Sequence, residues 1–298
     1  MSIKKTISGG VYSASMTVIN KDLSVNIDAT VKHSERLIGK DLLHGCIIMG
    51  STGCAQLISS SEKKELINKL GDSKLKDSFI IGTGVNAFNT TVELMKHSIN
   101  NKIDRFLVMP PAYYKYGDEG CFSFFSNLIQ KVPESKIILY NFEQLCGYKF
   151  SPKVVERLVK DFPKQILGLK DSTGNLYEIL KIPNLLIFSG SELKLLKGLE
   201  LGNSGIISAT LNCVAPLARK VYEDFINKKQ QTFNKQLCEI RKVFDKHNLI
   251  SGLHSFMSIE DEKYKIVLPP LSLLTKEQEK KMMDELKALN FYPERKVA

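Results

Sequence analysis

Residues 136–169 contain the pattern that decides the fold. Two short apolar runs, Lys136-Ile-Ile-Leu-Tyr140 and Gln165-Ile-Leu-Gly-Leu169, enclose a longer segment of helical character. Neither run alternates with polar residues, which is typical of parallel strands that are covered on both faces. Between them, Ser151 followed by Pro152 places a capping hydroxyl before a proline at the first helical position. The stretch therefore predicts one strand–helix–strand unit.

Similar runs of strand length recur on both sides of this unit. They are Gly10-Val-Tyr-Ser-Ala14, Gly45-Cys-Ile-Ile-Met49, Ser78-Phe-Ile-Ile-Gly82, Arg105-Phe-Leu-Val-Met109, Leu185-Leu-Ile-Phe-Ser189 and Gly205-Ile-Ile-Ser208. The strands start about 20 to 35 residues apart, as in repeated β-α units. Two of the segments between them open with the capping patterns Ser59-Ser-Ser-Glu62 and Thr90-Thr-Val-Glu93. Eight strands predict an α/β fold, a closed (β/α)8 TIM barrel; an open doubly wound sheet is the alternative.

The last quarter of the chain, from about Val214, reads as additional helices. Thr275-Lys-Glu-Gln278 has the pattern of a helix cap and opens the last of them. We therefore predict a barrel over residues 1–213 and a C-terminal helical extension over residues 214–298, packed on the barrel as one structural unit. The length of 298 residues suits an α/β barrel that forms a single domain.

Composition excludes several classes of protein. The chain is 43% hydrophobic and 25% charged, as in ordinary globular proteins. Its net charge is +10, but the basic residues are scattered among acids and do not interleave with aromatic residues, so we expect no nucleic-acid partner. A diffuse positive potential can still favour small anionic substrates.

Membrane, secretion and metal signals are missing from the sequence. The longest apolar runs are far shorter than the roughly 18 residues that a membrane span requires. Met1-Ser-Ile-Lys-Lys5 is not followed by the apolar core of a signal peptide, so we expect a cytoplasmic protein. Its six cysteines are then expected to be reduced, mostly buried thiols. The five histidines have no metal-ligand spacing, and no metal site is predicted.

Polar residues follow several of the predicted strands, and in a β/α barrel the chemistry gathers at these C-terminal strand ends. Gly50-Ser-Thr-Gly53 offers two hydroxyls and several backbone N–H groups that suit a carboxylate. The prolines of Pro110-Pro-Ala-Tyr-Tyr114 would aim an aromatic hydroxyl, and Tyr140-Asn141 ends the fifth strand. Each also has an ordinary interpretation, as a connecting loop, interface packing or a residue that fills the barrel.

A lysine directly after a buried strand is the least ordinary of these features. Lys170 lies in Gly168-Leu-Lys-Asp171, whereas most lysines lie on helix faces in water. In the apolar mouth of a barrel a lysine would be uncharged part of the time. An uncharged amine can attack a ketone to form a Schiff base, which allows the neighbouring C–C bond to form or break. The alternative is a lysine that is paired with Asp171 or another acid.

Taken in order, these segments resemble the dihydrodipicolinate synthase / N-acetylneuraminate lyase family of class I aldolases. The matching segments also include Ser189-Gly190 and Gly205 to Asn212, so the resemblance covers the second to the eighth strand. It implies a (β/α)8 barrel with C-terminal helices, assembled as a homotetramer or homodimer. It also implies an imine between a lysine and pyruvate or a related 2-keto acid, with no metal or organic cofactor.

The resemblance implies a role for individual residues. Lys170 would form the imine, Tyr140 would relay protons, and Tyr113 would reach into the site of a neighbouring subunit. Thr52 would join the proton relay, and together with Ser51 it would hold the keto-acid carboxylate. The predicted substrate-binding residues lie in the loops and strand ends of the second, seventh and eighth strands: Ser51, Thr52, Gly53, Gly190, Glu192 and Ile207, the last through its backbone carbonyl.

Several positions depart from the family pattern. Glu143 replaces the proline of the Y-N-x-P motif, and Leu145 stands where the synthases carry an arginine for the second substrate's carboxylate. Only one acid, Glu192, remains where the sialic-acid lyases have two, and Cys54 replaces a usual glutamate. These changes favour an aldolase for a 2-keto-3-deoxy sugar acid or a similar hydroxylated keto acid, with Glu192 holding hydroxyls. The alternatives are dihydrodipicolinate synthase of lysine biosynthesis and a non-catalytic keto-acid-binding protein.

Overall fold

Eight parallel strands close into a barrel in the computed structural model, which describes residues 7–39, 43–83 and 85–293. Each strand pairs with its neighbours in chain order, and β8 pairs with β1. The strands are β1 (Gly10–Ala14), β2 (Gly45–Ile48), β3 (Phe79–Gly82), β4 (Arg105–Val108), β5 (Lys136–Asn141), β6 (Ile166–Asp171), β7 (Leu186–Ser189) and β8 (Gly205–Ser208). The predicted TIM barrel is confirmed, and the open sheet is excluded.

Helices lie between consecutive strands, except between β6 and β7, and continue after the last strand. They are α1 (Ile27–Gly39), α2 (Ser60–Asp72), α3 (Phe88–Asn100), α4 (Asp118–Lys131), α5 (Glu143–Cys146), α6 (Pro152–Asp161), α7 (Leu195–Glu200), α8 (Leu211–Ile226), α9 (Asn234–Phe244), α10 (Leu249–Glu260) and α11 (Lys276–Ala288). None of the helices within the described ranges combines the length and the apolar character that a membrane crossing needs.

Two predicted strand ends required correction. The sequence placed Lys170 just after a strand, but β5 and β6 continue to Asn141 and Asp171. Tyr140 pairs with Lys170 and Asn141 with Asp171 across the two strands. Lys170 is therefore held by the sheet itself and not by a loop.

Local capping signals explain where most of the predicted helices begin. Ser59 and Thr275 form complete capping boxes at α2 and α11, and the Ser151 side chain accepts a hydrogen bond from Val154 N at α6. The expected cap at Thr90 was wrong, because α3 already begins at Phe88. The threonines there lie inside the first turn, where Thr91 Oγ1 donates to the Ala87 carbonyl at 3.3 Å.

The C-terminal helices follow the barrel without a break. Helix α8 starts at Leu211, three residues before the predicted start near Val214, and it packs against β1 as the eighth helix of the barrel. It is kinked at Val214, two residues before Pro216. Helices α9 to α11 lie wholly within the predicted extension. The division between residues 213 and 214 remains a prediction, and Met1 to Lys5 and residues 294–298 lie outside the described residues.

The core has two layers, because successive strand residues face opposite sides of the sheet. An inner cluster fills the barrel: Ile7, Tyr12, Ile47, Ile80, Leu107, Ile138, Tyr140, Phe188 and Ile207. The apolar strand residues that alternate with these face outward and pack against the helices. All six cysteines are free, and Cys46, Cys54, Cys121 and Cys146 are buried, as expected from the sequence. By alternation, Lys170 lies on the same inner face as Tyr140.

Candidate active site at the carboxyl ends of the strands

Lys170 and Tyr140 form the centre of the candidate site. They are cross-strand partners on β6 and β5, and each is 5% exposed. Lys170 Nζ lies 4.2 Å from the centroid of the Tyr140 ring. Phe188, which is fully buried, is the partner of Lys170 on the other side. Lys170 thus lies between two aromatic residues along the sheet, and its amine is over the Tyr140 ring.

The neighbouring acid is not the partner of this amine. Asp171 faces the outside of the barrel, where it is fully buried. Its carboxylate accepts hydrogen bonds of 2.8 Å from Asn141 Nδ2 and from the backbone N–H groups of Gly174, Leu176 and Tyr177. Lys170 forms no ion pair within 4.0 Å with any acid in the part of the chain that the structure describes. The interpretation of Lys170 as half of an ion pair is therefore not supported.

The loop after β2 brings a hydroxyl to the tyrosine. Ser51 Oγ donates a hydrogen bond to Tyr140 Oη over 3.4 Å. The adjacent Thr52 is buried, and no contact of its hydroxyl with Tyr140 is present in the described ranges. Gly53 is fixed by Thr17 Oγ1, which donates to its carbonyl at 2.8 Å, and a Cβ at Gly53 would lie 3.0 Å from the Ser15 carbonyl. The tight turn thus requires a glycine, and it is Ser51 that reaches Tyr140.

A small pocket opens beside Ser51 and Tyr140. Its lining is mostly apolar and comes from the ends of four neighbouring strands: Met49, Gly50, Ser51, Ala55, Gln56, Gly82, Leu107, Met109 and Tyr140. Tyr113, a predicted catalytic residue, does not line this pocket. Its side chain is 88% exposed, with a backbone φ of +83°, so it projects from its own chain.

The two predicted substrate residues after β7, Gly190 and Glu192, differ from each other in their surroundings. Gly190 needs the absence of a side chain, because a Cβ would lie 2.3 Å from Ser172 Oγ. Glu192 was expected to hold substrate hydroxyls, but it is fully buried and its Oε2 accepts a hydrogen bond from Arg241 at 2.8 Å. Burial alone would lower the pKa of Arg241, but Glu192 and Asp245 raise it above its usual value. Its carboxylate is thus part of a buried ion pair, and its role in holding substrate hydroxyls remains a prediction.

Three departures from the family pattern have a local explanation. The backbone N–H of Glu143, which a proline would lack, donates to Thr173 Oγ1 at 2.9 Å. Cys54 packs in an apolar cluster with Ile19, Val25, Ile58 and Leu268, and burial raises the pKa of its thiol to about 11. Leu145 is 45% exposed, so this position offers no charge to a second substrate.

The structure adds residues that the sequence did not single out. Gln56 and Met109 line the pocket. Near the ends of β7 and β8, Arg241 donates hydrogen bonds to Glu192 and to Ser208. Arg241 lies on α9, 49 residues after Glu192, and no feature of the sequence indicates that the two residues pair. Ile207 is fully buried on the inner face of β8, and the role of its carbonyl remains a prediction. No group of three His, Cys, Asp or Glu side chains in residues 7–39, 43–83 and 85–293 is arranged to hold a metal ion.

Comparison with known proteins gives consistent matches. The chain is 29% identical over 220 residues to an N-acetylneuraminate lyase of Actinobacillus pleuropneumoniae serotype 5b, covering 72% of this chain and 74% of the relative. It is 30% identical over 173 residues to a 4-hydroxy-tetrahydrodipicolinate synthase of Coxiella burnetii (strain Dugway 5J108-111), covering 57% and 59%.

The fold comparison agrees with these relatives. YagE of E. coli K12, a prophage protein of the dihydrodipicolinic acid synthase family solved in complex with pyruvate, superposes with a TM-score of 0.86. It shares 21% sequence identity, and the match covers 96% of this chain and all of that chain. A sequence model of the dihydrodipicolinate synthetase family matches residues 7–289. Because that match spans nearly the whole chain, including all eight strands, the chain belongs to this family of aldolases and lyases.

Proposed function

We propose that the chain is a class I aldolase that forms a Schiff base between Lys170 and pyruvate or a related 2-keto acid. The substrate class we favour is a 2-keto-3-deoxy sugar acid or a similar hydroxylated keto acid. The observation that carries this proposal is the position of Lys170: buried, without an acid partner among the described residues, and 4.2 Å from the Tyr140 ring.

The proposed reaction uses the geometry of three side chains. The Lys170 amine adds to the C2 carbonyl of the keto acid, and loss of water leaves a protonated imine. This imine accepts the electron pair of the C3–C4 bond as that bond breaks, the C4 hydroxyl loses its proton, and an aldehyde leaves. Protonation of C3 and hydrolysis then release pyruvate and restore the amine. Tyr140 Oη, hydrogen-bonded to Ser51 Oγ, is the proposed carrier of these protons.

The predicted carboxylate site and subunit contact complete the proposal. Ser51, Thr52 and Gly53 form a tight turn at the site, which suits the keto-acid carboxylate. Tyr113 is the proposed contribution of a second copy of the chain to the mostly apolar pocket beside Tyr140. Its 88% exposure and the lining of that pocket support this assignment. Tyr113→Phe should lower kcat while leaving Lys170 trapping by pyruvate intact, and sedimentation should detect a dimer or tetramer.

Borohydride trapping tests the central step. Pyruvate followed by borohydride should add one reduced pyruvyl group to the wild-type protein, and peptide mass spectrometry should locate it at Lys170. Lys170→Ala should lose the adduct and the turnover while keeping its thermal transition. A buried lysine elsewhere, Lys63, gives the matched control, because Lys63→Met should trap as the wild type does. An adduct on Lys63, or none on the folded wild-type protein, would contradict the proposal.

Synthase activity is the second candidate, because one relative bears that name. Leu145 argues against it, since an exposed leucine cannot bind the carboxylate of a second substrate. A coupled assay with pyruvate and aspartate semialdehyde, beside a panel of keto-deoxy acids that release pyruvate, separates the two reactions. Pyruvate binding in calorimetry without any trapped imine would instead indicate a non-catalytic binding protein.

A further inference from the structure

One buried cluster joins the C-terminal extension to the site end of the barrel. Arg241, on α9, donates from one guanidinium nitrogen to Glu192 Oε2 at 2.8 Å and to Ser208 Oγ at 3.1 Å. Its Nε donates to Asp245 Oδ1 at 2.8 Å. Glu192 lies in the short turn after β7, and Ser208 is the last residue of β8. A single side chain of the extension therefore contacts the ends of two neighbouring strands.

Stability alone does not account for this cluster. Glu192 is fully buried and Arg241 is 9% exposed. A buried ion pair gains little net stability, because the loss of hydration offsets much of the attraction between the charges. Moreover, Glu192 Oε1 is buried without a hydrogen-bond partner among the described residues, which adds a further cost. The contacts of this pair with the ends of two strands indicate a role in positioning them.

The strand ladder is incomplete where Arg241 binds. The register between β7 and β8 ends with Ser189 opposite Ile206. Ile207 and Ser208 continue beyond it and pair with β1 alone, opposite Tyr12 and Ser13. Arg241 bridges this gap, because it binds the turn after β7 on one side and Ser208 on the other.

We propose that Arg241 is a positioning residue that holds the ends of β7 and β8 in the geometry that binds the keto acid. The inference rests on the proposed function, since two of the predicted substrate residues lie close to the bridged positions: Gly190 is two residues before Glu192, and Ile207 directly precedes Ser208. Lys170 is on β6 and Tyr140 on β5, and the hydrogen bonds of Arg241 go to Glu192, Ser208 and Asp245 instead. Loss of the bridge should therefore weaken keto-acid binding and leave the chemistry at the amine intact.

Pyruvate-dependent trapping of Lys170 is the measurement. The double variant Glu192→Met with Arg241→Met removes both charges together and leaves neither one buried and unpaired. Ser208→Ala removes only the hydroxyl that Arg241 binds at the end of β8. The matched control is Lys242→Met, which removes an exposed cation from the next position of α9, where it pairs with Glu239. For each protein, the half-saturating pyruvate concentration and the final extent of trapping are measured with the thermal transition.

The expected result is a split between binding and chemistry. The double variant should raise the half-saturating pyruvate concentration at least tenfold and Ser208→Ala threefold or more, with full trapping at saturation and unchanged values in Lys242→Met. A folded double variant with the wild-type half-saturation overturns the role of Arg241. If the double variant loses its thermal transition, the half-saturating pyruvate concentration of folded Ser208→Ala decides instead, and a wild-type value there overturns the role of Arg241. No trapping in the wild-type protein overturns the proposed function as well, so the two failures are distinguishable.

Discussion

Two buried lysines in this chain have different surroundings. Lys170 lies at the mouth of the barrel against the Tyr140 ring, with the Ser51 hydroxyl nearby. Lys63 is 1% exposed on the inner face of α2, beside Leu66 and Ile67, and burial lowers its pKa to about 8. Both amines are buried, but only Lys170 lies next to a phenol and a hydroxyl, the groups that the proposed reaction requires.

Lys63 should instead reduce the stability of the protein. Its folded pKa of about 8 lies below the usual 10.5, so the folded state disfavours the charged amine. The free energy of unfolding is therefore unaffected by the burial of this amine above pH 10.5, and it falls as the pH decreases from 10.5 through 8. At pH 7, Lys63→Met should increase the free energy of unfolding by about 2–3 kcal/mol, measured in urea. The gain should vanish near pH 11, whereas the half-buried, ion-paired Lys64→Met should show no such trend. An equal gain for Lys63→Met at both pH values would contradict this account.

Individual site residues were predictable to different degrees. Tyr140, Ser51 and Lys170 follow apolar runs at the same end of the predicted strands, so the sequence could place them together. Glu192 occupies a similar position, but its environment depends on Arg241 of a distant helix. A strand pattern predicts the position of a residue in the barrel. It does not predict an ion pair with a residue that is distant in the sequence.

At the level of elements, a polar lock fixes the register of β5 and β6 at the site. Asn141 Nδ2 donates to Asp171 Oδ1 at 2.8 Å on the outer face, one residue after the Tyr140–Lys170 pair on the inner face. Asn141 Oδ1 also accepts a hydrogen bond from Phe150 N at 3.2 Å. Both polar residues are fully buried and satisfied. The lock thus holds the amine and the phenol at a fixed distance.

Removal of the Asp171 carboxylate should open this lock. Asp171→Ala leaves the Asn141 amide and the N–H groups of Gly174, Leu176 and Tyr177 without their acceptor, and buried donors of this kind are costly. We expect a loss of about 3–5 kcal/mol in the free energy of unfolding and fast hydrogen exchange at Leu176 and Tyr177. Asp161→Ala, at the exposed end of α6, should change stability by less than about 0.5 kcal/mol. Unchanged exchange at both amides would exclude the lock.

The sequence predicted the existence of the elements better than their ends. All eight strands were found from their apolar runs, because these runs are buried on both faces. The ends of β5 and β6 were placed too early, since Asn141 and Asp171 read as loop residues until their mutual hydrogen bond is known. The start of α3 was misplaced for a related reason, as nothing in the sequence marks Ala87 as a cap.

At the level of the whole molecule, the extension and the barrel meet in a second buried network. Asn212 donates from Nδ2 to the carbonyls of Ala14 and Ala209, at the ends of β1 and β8. Its Oδ1 already accepts a hydrogen bond from Met16 N, and it lies 2.8 Å from His33 Nε2. Tyr264 Oη, from the extension, lies 2.7 Å from His33 Nδ1. The network therefore assigns the proton to Nε2, with Nδ1 accepting from the tyrosine.

This network makes the joint between extension and barrel sensitive to acid. Burial lowers the pKa of His33 from 6.5 to about 3, so the folded protein keeps this imidazole neutral. The unfolded chain takes up its proton below pH 6.5, and the stability that is present above pH 6.5 is therefore lost as the pH falls toward 3. Chemical denaturation at pH 7, 5.5 and 4.5 should follow the first part of this loss, about 2–3 kcal/mol of the roughly 3–5 kcal/mol that His33 contributes in total. His33→Leu should be less stable than wild type at pH 7 and should lose less stability on acidification. If both proteins lose stability in parallel between pH 7 and 4.5, His33 is not the source.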